Sequence, residues 1–418
     1  MRIIILSINY WPEETGIGVF TTYRAEYLAA AGHDVEVYTT FPYYPQWKVP
    51  SCYANKLAVS EERNGVRILR SYSYVPNPVT PLKRVLHEAS YTATCLLRAI
   101  ARKRPDILFV VSPPLGLAAN AFVLSRLWRV PYVFDVQDLQ PDSAAELSML
   151  PSWALKVLYR IEHAAYRYAS LISTLTNGMQ ARIVGKGIPS EKLVLFEPRA
   201  DESLSSIAPT EGNDFRHRYD LDNKFLVVHS GNMGVKQGLD VIVNAAALNR
   251  SDNSMLFLLV GDGSAGKSIR QQAAKLELQN VRFLPVLDSE EFRGLLAASD
   301  ICLLTQHKAS CECAFPSKLV TYLTAGRPVV ASVNHNSEAA QAIFESGAGE
   351  VVACDNANSL LEAITRIRKS DLQEYGKHAR EYACRKWSPE RVLRQFERTL
   401  IAVAAPETRS SVQEGTIQ

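Results

Sequence analysis

A chain of 418 residues, 47% of them apolar, is too long for one compact core and fits two domains of roughly 200 residues each. A formal charge of +3 without any long basic tract argues against a nucleic-acid partner. Seven cysteines, scattered at 52, 95, 302, 311, 313, 354 and 384, do not make a disulfide framework and fit a reducing cytoplasm.

The chain opens on Arg2–Ile8, an apolar run too short for a signal peptide before Asn9 and Pro12 interrupt it, and it reads as a first β-strand. The loop Asn9–Gly18 follows, with Gly16 and Gly18 where backbone can approach a ligand, then an amphipathic helix over Gly18–Ala31 and a second strand over Val35–Thr40. Gly16-Ile17-Gly18-Val19-Phe20-Thr21 lacks the third glycine of a dinucleotide fingerprint. Glu36 lies inside the second strand instead of at its end, so a nicotinamide-binding dehydrogenase is disfavoured. Strands at Arg67–Tyr72, Ile107–Val111, Tyr132–Val136 and Leu171–Thr174 alternate with helices at Leu82–Arg102, Leu115–Trp128 and Ser152–Tyr168. Pro113-Pro114 divides the apolar stretch Ile107–Leu127 into a strand and a helix, so no segment is expected to span a bilayer. The pattern predicts a parallel sheet covered on both faces.

Residues 203–222 are polar and rich in Ser, Pro, Gly and charge, the composition of an interdomain linker. A second alternation begins after it, with strands at Phe225–Ser230, Met255–Val260, Val281–Leu284, Ile301–Leu304, Val329–Ala331 and Glu350–Val352. The expected architecture is α/β, two doubly wound Rossmann-like domains, 1–202 and 223–386, facing a cleft. A final helix over 387–404 and a polar tail over 405–418, expected to be disordered, complete the chain.

Ligands of such sheets sit at the carboxyl ends of strands, so the loops there carry the chemistry. Ser230-Gly231-Asn232-Met233-Gly234-Val235-Lys236-Gln237-Gly238 is a glycine-rich turn bearing a lysine, and Gly261-Asp262-Gly263 follows the next strand. Pro316-Ser317-Lys318-Leu319-Val320-Thr321, closed by Gly326, joins a lysine to the start of a short helix. Free backbone N–H groups and Lys318 could there meet a phosphate-rich ligand. Tight turns that need glycine and a surface lysine explain the same residues. Asp138, directly after the Tyr132–Val136 strand, could bind sugar hydroxyls or cap a helix, and Asp142 shares the ambiguity. Glu13 and Glu14 could meet an acceptor or stand as solvated loop carboxylates. Cys311-Glu312-Cys313 has no second Cys or His pair at metal spacing, so no metal site is expected. The helices Leu82–Arg104 and Trp153–Tyr168 combine apolar faces with cations, including Lys83, Arg84, Lys156 and Arg160. They could rest on an anionic membrane or present a solvated basic face.

Gly231–Gly238, Gly261-Asp262-Gly263, Pro316–Val330 and a late Trp387-Ser388 helix together resemble the retaining, metal-independent family 4 type glycosyltransferases of the GT-B fold. In the N-terminal half, Ile8-Asn9-Tyr10 with Pro12-Glu13, Thr15-Gly16-Ile17-Gly18, Gly32-His33, Pro42-Tyr43-Tyr44-Pro45 with Trp47, and Leu82-Lys83-Arg84 with His87 look like the colanic-acid-type exopolysaccharide branch, a group assigned to fucosyl or similar transfer. The resemblance covers about residues 1 to 400. It implies sugar transfer from a nucleoside-diphosphate sugar, of GDP or UDP type, to an oligosaccharide or polyprenyl-diphosphate-linked acceptor at the inner-leaflet membrane surface, with no separate cofactor. The implied catalytic residues are Asp138, Lys236 and Lys318. Those implied to hold the donor are Gly16, Gly18, Gly231, Asn232, Lys236, Gly261, Asp262, Pro316, Ser317, Lys318 and Thr321. The chain departs from the family where its paired glutamates would fall on Cys313 and Thr321, with Glu312 one position off. The diphosphate-holding Arg and Lys would fall on Asn232 and Gln237, and a frequent histidine on Gln137. A sugar-nucleotide epimerase of the same fold, or a non-catalytic nucleotide-sugar-binding subunit, are the alternatives.

Overall fold

The computed structural model describes residues 1–13, 16–146, 150–308 and 316–405. The chain divides into one unit of Met1–Glu197 with Val392–Gln418 and a second of Pro198–Arg391. The Glu14, Glu312 and Cys313 expectations and the expected disorder of the tail beyond residue 405 lie outside the described residues.

The first unit runs β1 (Arg2–Leu6), α1 (Ile17–Ala30), β2 (Asp34–Thr40), β3 (Ala58–Arg63), β4 (Val66–Ser71), α2 (Pro81–Ile100), β5 (Ile107–Ser112), α3 (Leu117–Trp128), β6 (Tyr132–Val136), α4 (Gln140–Glu146), α5 (Ser152–Tyr168), β7 (Leu171–Thr174), α6 (Asn177–Gly185) and β8 (Leu193–Leu195). Its strands pair in the order β3-β4-β2-β1-β5-β6-β7-β8, all parallel except the β3–β4 hairpin. β1 and β5 are buried throughout apart from Arg2, as a sheet covered on both faces requires. The sequence reading missed β3 and β8. β3 alternates half-exposed and exposed residues at the sheet edge and has no apolar face, and β8 has only three residues.

The second unit runs α7 (Glu202–Ser205), α8 (Pro209–Arg218), β9 (Phe225–Ser230), α9 (Asp240–Leu248), β10 (Met255–Val260), α10 (Gly266–Lys275), β11 (Val281–Leu284), α11 (Ser289–Ala298), β12 (Ile301–Thr305), α12 (Ser317–Thr324), β13 (Val329–Ser332), α13 (Glu338–Ser346), β14 (Gly349–Val352), α14 (Ala357–Arg368) and α15 (Leu372–Lys386). Its parallel strands follow the order β11-β10-β9-β12-β13-β14. Strands leave β9 in both directions, so the order reverses between β9 and β12, which is where a doubly wound sheet opens its ligand crevice.

Two boundaries differ from the sequence reading. Residues 203–222 are not an irregular linker: they contain α8, which belongs to the second unit. Phe215 and Leu221 enter a core with Leu226 and Leu258, and Gly212 is needed because a Cβ there would stand 2.7 Å from the Ala297 carbonyl. Only one face of α8 is buried, which is why its composition looked like a linker's. The last helix, α16 (Pro389–Ala404), also starts later than expected. Trp387 closes α15 within the second unit, where its carbonyl accepts from the Ala200 N–H at 2.7 Å.

α16 inserts Phe396 and Leu400 into the first unit's core. The rings of Phe109, Phe196 and Phe396 lie within 5.9 Å of the buried Arg24 guanidinium. Arg24 donates to Asp135 at 2.9 Å, and Asp135 also accepts from Ser173 at 2.6 Å and from the Gln137 amide. A buried ion pair needs these extra hydrogen bonds to offset its desolvation.

Candidate functional site

The carboxyl end of β9 leaves the apolar run Phe225–Val228 for His229 and Ser230, and the chain then turns at Gly231 with φ of 116°. The loop after β10 lies directly against this turn. Gly231 N–H donates to the Val260 carbonyl at 2.9 Å and Met233 N–H to the Asp262 carbonyl at 2.8 Å. Gly261, at φ 129°, has no room for a side chain, since a Cβ would stand 2.0 Å from the Gly231 carbonyl oxygen. The two glycine turns are therefore one backbone layer. On the β12 side, Thr305 Oγ1 donates to the Gln237 carbonyl at 2.7 Å and His307 N–H to the Lys236 carbonyl at 2.8 Å.

α12 brings Lys318 to this layer. The Tyr322 hydroxyl lies 3.0 Å from the Ser230 N–H, which donates to it, and 3.1 Å from Ser230 Oγ. Lys318 lies one helical turn earlier on the same face. Its Nζ stands 3.4 Å from His229 Nε2, and its Cε and Nζ are 3.7 Å from where a Cβ on Gly231 would be. Burial pulls the Lys318 ammonium down to about 8 from its ordinary 10.5, and burial together with the Lys318 charge holds the His229 ring well below its ordinary value. Around neutral pH the pair is a lysine cation facing a neutral imidazole.

Among the expected donor residues, Gly231, Gly261 and Lys318 thus meet. Asn232 is exposed beside them, its side chain near Gly234 and Gly263. Asp262 is exposed, and its Oδ1 accepts from the Gly263 N–H at 2.8 Å. Lys236 is half-buried in a 3-10 turn, Val235–Gln237, that separates the glycine loop from α9. Pro316 sits at the N-cap of α12, with Ser317 exposed as first helical residue and Thr321 half-buried on the next turn. Sequence reasoning missed His229, Ser230 and Tyr322. The signal available was a polar pair closing an apolar strand and a tyrosine four residues after the lysine.

Gly16, Gly18 and Asp138 belong to the first unit. Gly16 is the N-cap of α1 with φ 69°. Gly18 packs on its own loop, where a Cβ would lie 3.3 Å from the Glu13 carbonyl and 3.4 Å from Tyr10 N. Its small size thus serves the loop's own packing. Asp138 accepts from the Ser143 hydroxyl at 2.8 Å and so anchors α4. Asp142 pairs with Lys186, which also binds the buried Glu162 at 2.7 Å. Glu13 is not solvated: it is buried and accepts from Asn9 Nδ2 at 2.7 Å and from the Tyr43 and Tyr44 N–H groups at 2.9 Å. Burial pushes its carboxyl up. These bonds pin the 43–47 loop, where Tyr43 and Trp47 pack at 4.5 and 5.5 Å on His87.

Comparison with known proteins agrees with this layout. Residues 15–198 match the family described as Glycosyl transferase 4-like domain, and residues 213–386 match Glycosyl transferases group 1. The chain is 31% identical over 405 residues to the protein named as the colanic acid biosynthesis glycosyl transferase WcaI of Escherichia coli (strain K12), spanning 95% of this chain and 98% of that one. In fold it resembles the sucrose-phosphate synthase of Thermosynechococcus elongatus, with a TM-score of 0.75, 18% identity and coverage of 96% and 99% of the two chains. It also resembles Anabaena HepE in complex with UDP-glucose, with a TM-score of 0.72, 18% identity and coverage of 96% and 100%. The chain therefore belongs to the GT-B glycosyltransferases that join a glycosyl transferase 4-like domain to a glycosyl transferases group 1 domain.

Proposed function

We propose that this glycosyltransferase moves a sugar from a nucleoside-diphosphate sugar to a hydroxyl of a lipid-linked or oligosaccharide acceptor in bacterial exopolysaccharide or lipopolysaccharide synthesis, with retention at the anomeric carbon and without a metal. The observation that carries the reading is the placement of Lys318 over the Gly231–Gly261 backbone layer at the β9–β12 switch point. In the transfer the anomeric carbon leaves a diphosphate oxygen and bonds the acceptor oxygen, whose proton is lost. The charge gathering on the departing diphosphate meets the Lys318 ammonium and loop N–H groups that are already oriented. Lys236 supplies a second cation from the same loop, and Asn232, Asp262, Pro316, Ser317 and Thr321 line the donor's approach. Gly16 and Gly18 are assigned to the donor as well, and Asp138 to catalysis. The likeness to the protein named for colanic acid synthesis supports an exopolysaccharide product, with fucose as the first donor sugar to try. The likeness in fold to HepE, solved with UDP-glucose, makes a UDP donor the other arm.

Turnover tests this directly. Purified protein is given GDP- and UDP-sugars with a polyprenyl-diphosphate glycan, with and without chelator, and product anomers are read by NMR. Acceptor-dependent release of one nucleoside diphosphate, insensitive to chelator and with retained configuration, is the expected result. Donor conversion without acceptor would point to an epimerase, and binding without turnover to a non-catalytic subunit.

The acceptor's lipid calls for a membrane surface. Among the described residues no helix is long and apolar enough to cross a bilayer. α3 packs on both α2 and α5, and these three helices expose Leu82, Leu97, Phe122, Leu127, Trp153 and Ile161. Leu82, Leu97 and Trp153 are each more than 70% exposed. Lys83, Arg126, Lys156, Arg160 and Arg167 flank them, while the acids of these helices are the half-buried Glu88 and the buried Glu162. Apolar anchors ringed by cations suit an anionic lipid surface. Lys156→Gln with Arg160→Gln is expected to weaken binding to phosphatidylglycerol vesicles by about thirtyfold, at about 1 kcal/mol per cation removed. Flotation unchanged by the two substitutions would refute the docking face.

A further inference from the structure

We propose that His229 is the positioning residue of Lys318: a neutral imidazole whose Nε2 lone pair accepts from the ammonium and holds it over Gly231. The proposal rests on the reading of Lys318 as the donor-diphosphate cation and assigns a role to a residue outside that reading.

The geometry is a two-rung tie between β9 and α12. His229 and Ser230 are consecutive at the end of the strand, and Lys318 and Tyr322 are one turn apart on the helix. The lower rung is Tyr322, whose hydroxyl meets Ser230 N and Oγ and donates to the Ser230 carbonyl at 3.2 Å. That rung fixes the register of α12 on the strand. The upper rung is Lys318 Nζ to His229 Nε2 at 3.4 Å.

A lysine side chain has four rotatable bonds, and ordering it costs conformational entropy. An acceptor already waiting at the end of the chain lowers the cost that falls on ligand binding. His229 suits this because it is fully buried and cannot swing away. It must also be neutral, since an imidazolium 3.4 Å from an ammonium would repel it. Accepting at Nε2 places the ring proton on Nδ1, which is buried and meets no hydrogen-bond partner among the described residues. An apolar residue of similar size would fill the volume and leave the lysine unheld. A glutamine can still offer an acceptor oxygen.

The test is a double-mutant cycle read by nucleoside-diphosphate affinity in the full-length protein. His229→Leu is expected to weaken binding about tenfold in the native background and by less than about twofold in Lys318→Ala, because its effect passes through the lysine. His229→Gln is expected to recover most of the loss. Lys318→Ala binding as well as the native protein would refute the diphosphate reading itself. A clear Lys318→Ala defect with equal His229→Leu losses in both backgrounds, or none in either, would refute only the positioning role. A second measurement does not depend on the folding of any Leu variant. In native protein labelled with 15N-histidine, with the signal assigned by His229→Gln, the ring is expected to be neutral and protonated at Nδ1. An imidazolium, or a proton on Nε2, overturns the proposal.

Discussion

Lys318→Ala is expected to weaken nucleoside-diphosphate binding by about 100-fold at low salt, the scale of a charge-assisted contact to a phosphate in a partly desolvated site. Affinity in the native protein is also expected to depend on pH in a particular direction. Because burial brings the Lys318 ammonium down to about 8, its charge is present below that pH and lost as pH rises through it. His229, the titratable group facing it, is already neutral there and contributes no opposing step. Bound diphosphate stabilises the ammonium, so the fall in affinity tracks the free protein's lysine. Calorimetry from about pH 7.5 to about pH 8.8, where the diphosphate is close to fully ionised, therefore shows a decline that Lys318→Ala abolishes. Lys318→Arg keeps a cation across this range and flattens the profile, though a planar guanidinium cannot reproduce the ammonium's position. A flat native profile, or an unchanged decline in Lys318→Ala, would separate the lysine from the ligand.

Gly261→Ala is expected to cost more than about 4 kcal/mol or to prevent folding of the second unit, adding overpacking against backbone to a left-handed conformation. The site tolerates no relaxation by a flexible side chain, since the obstructing atom is the Gly231 carbonyl oxygen at 2.0 Å. Any compromise that keeps the fold must push the two glycine turns apart, and with them the surface that faces Lys318. Nucleotide binding is thus expected to be lost in whatever fraction folds. Gly32→Ala is the control: its φ is 88°, but open space surrounds the position, so only the backbone term of about 1 kcal/mol applies. Thermal unfolding and nucleotide binding of the two variants side by side check this. Similar behaviour of the two would mean that the glycine layer is not closely packed.

Most of the architecture was legible because buried parallel strands announce themselves. Met255–Val260 is a continuous apolar run, Tyr132–Val136 is one but for Asp135, and the structure repeats the boundaries of both. α8 was hidden because a one-sided helix on a unit's surface has a linker's composition, and β3 because an edge strand has no apolar face. At the site, the sequence pointed to Gly231, Gly261 and Lys318 through strand-then-glycine and lysine-at-helix-start patterns. It could not show that Gly261 serves Gly231, since that contact joins turns thirty residues apart. Glu13 read as a loop carboxylate because its partners are the N–H groups of Tyr43 and Tyr44, and backbone donors leave no mark in sequence. His229 was passed over for a related reason: a histidine closing a strand gains meaning only when α12 sets a lysine against it.

A crystal structure with a bound nucleoside diphosphate tests the central claim most directly. The account predicts the terminal phosphate against the Gly231 turn with Lys318 Nζ in hydrogen-bond reach and the His229 ring still behind the lysine. A diphosphate bound away from the Gly231–Gly261 layer, with Lys318 untouched, would contradict it.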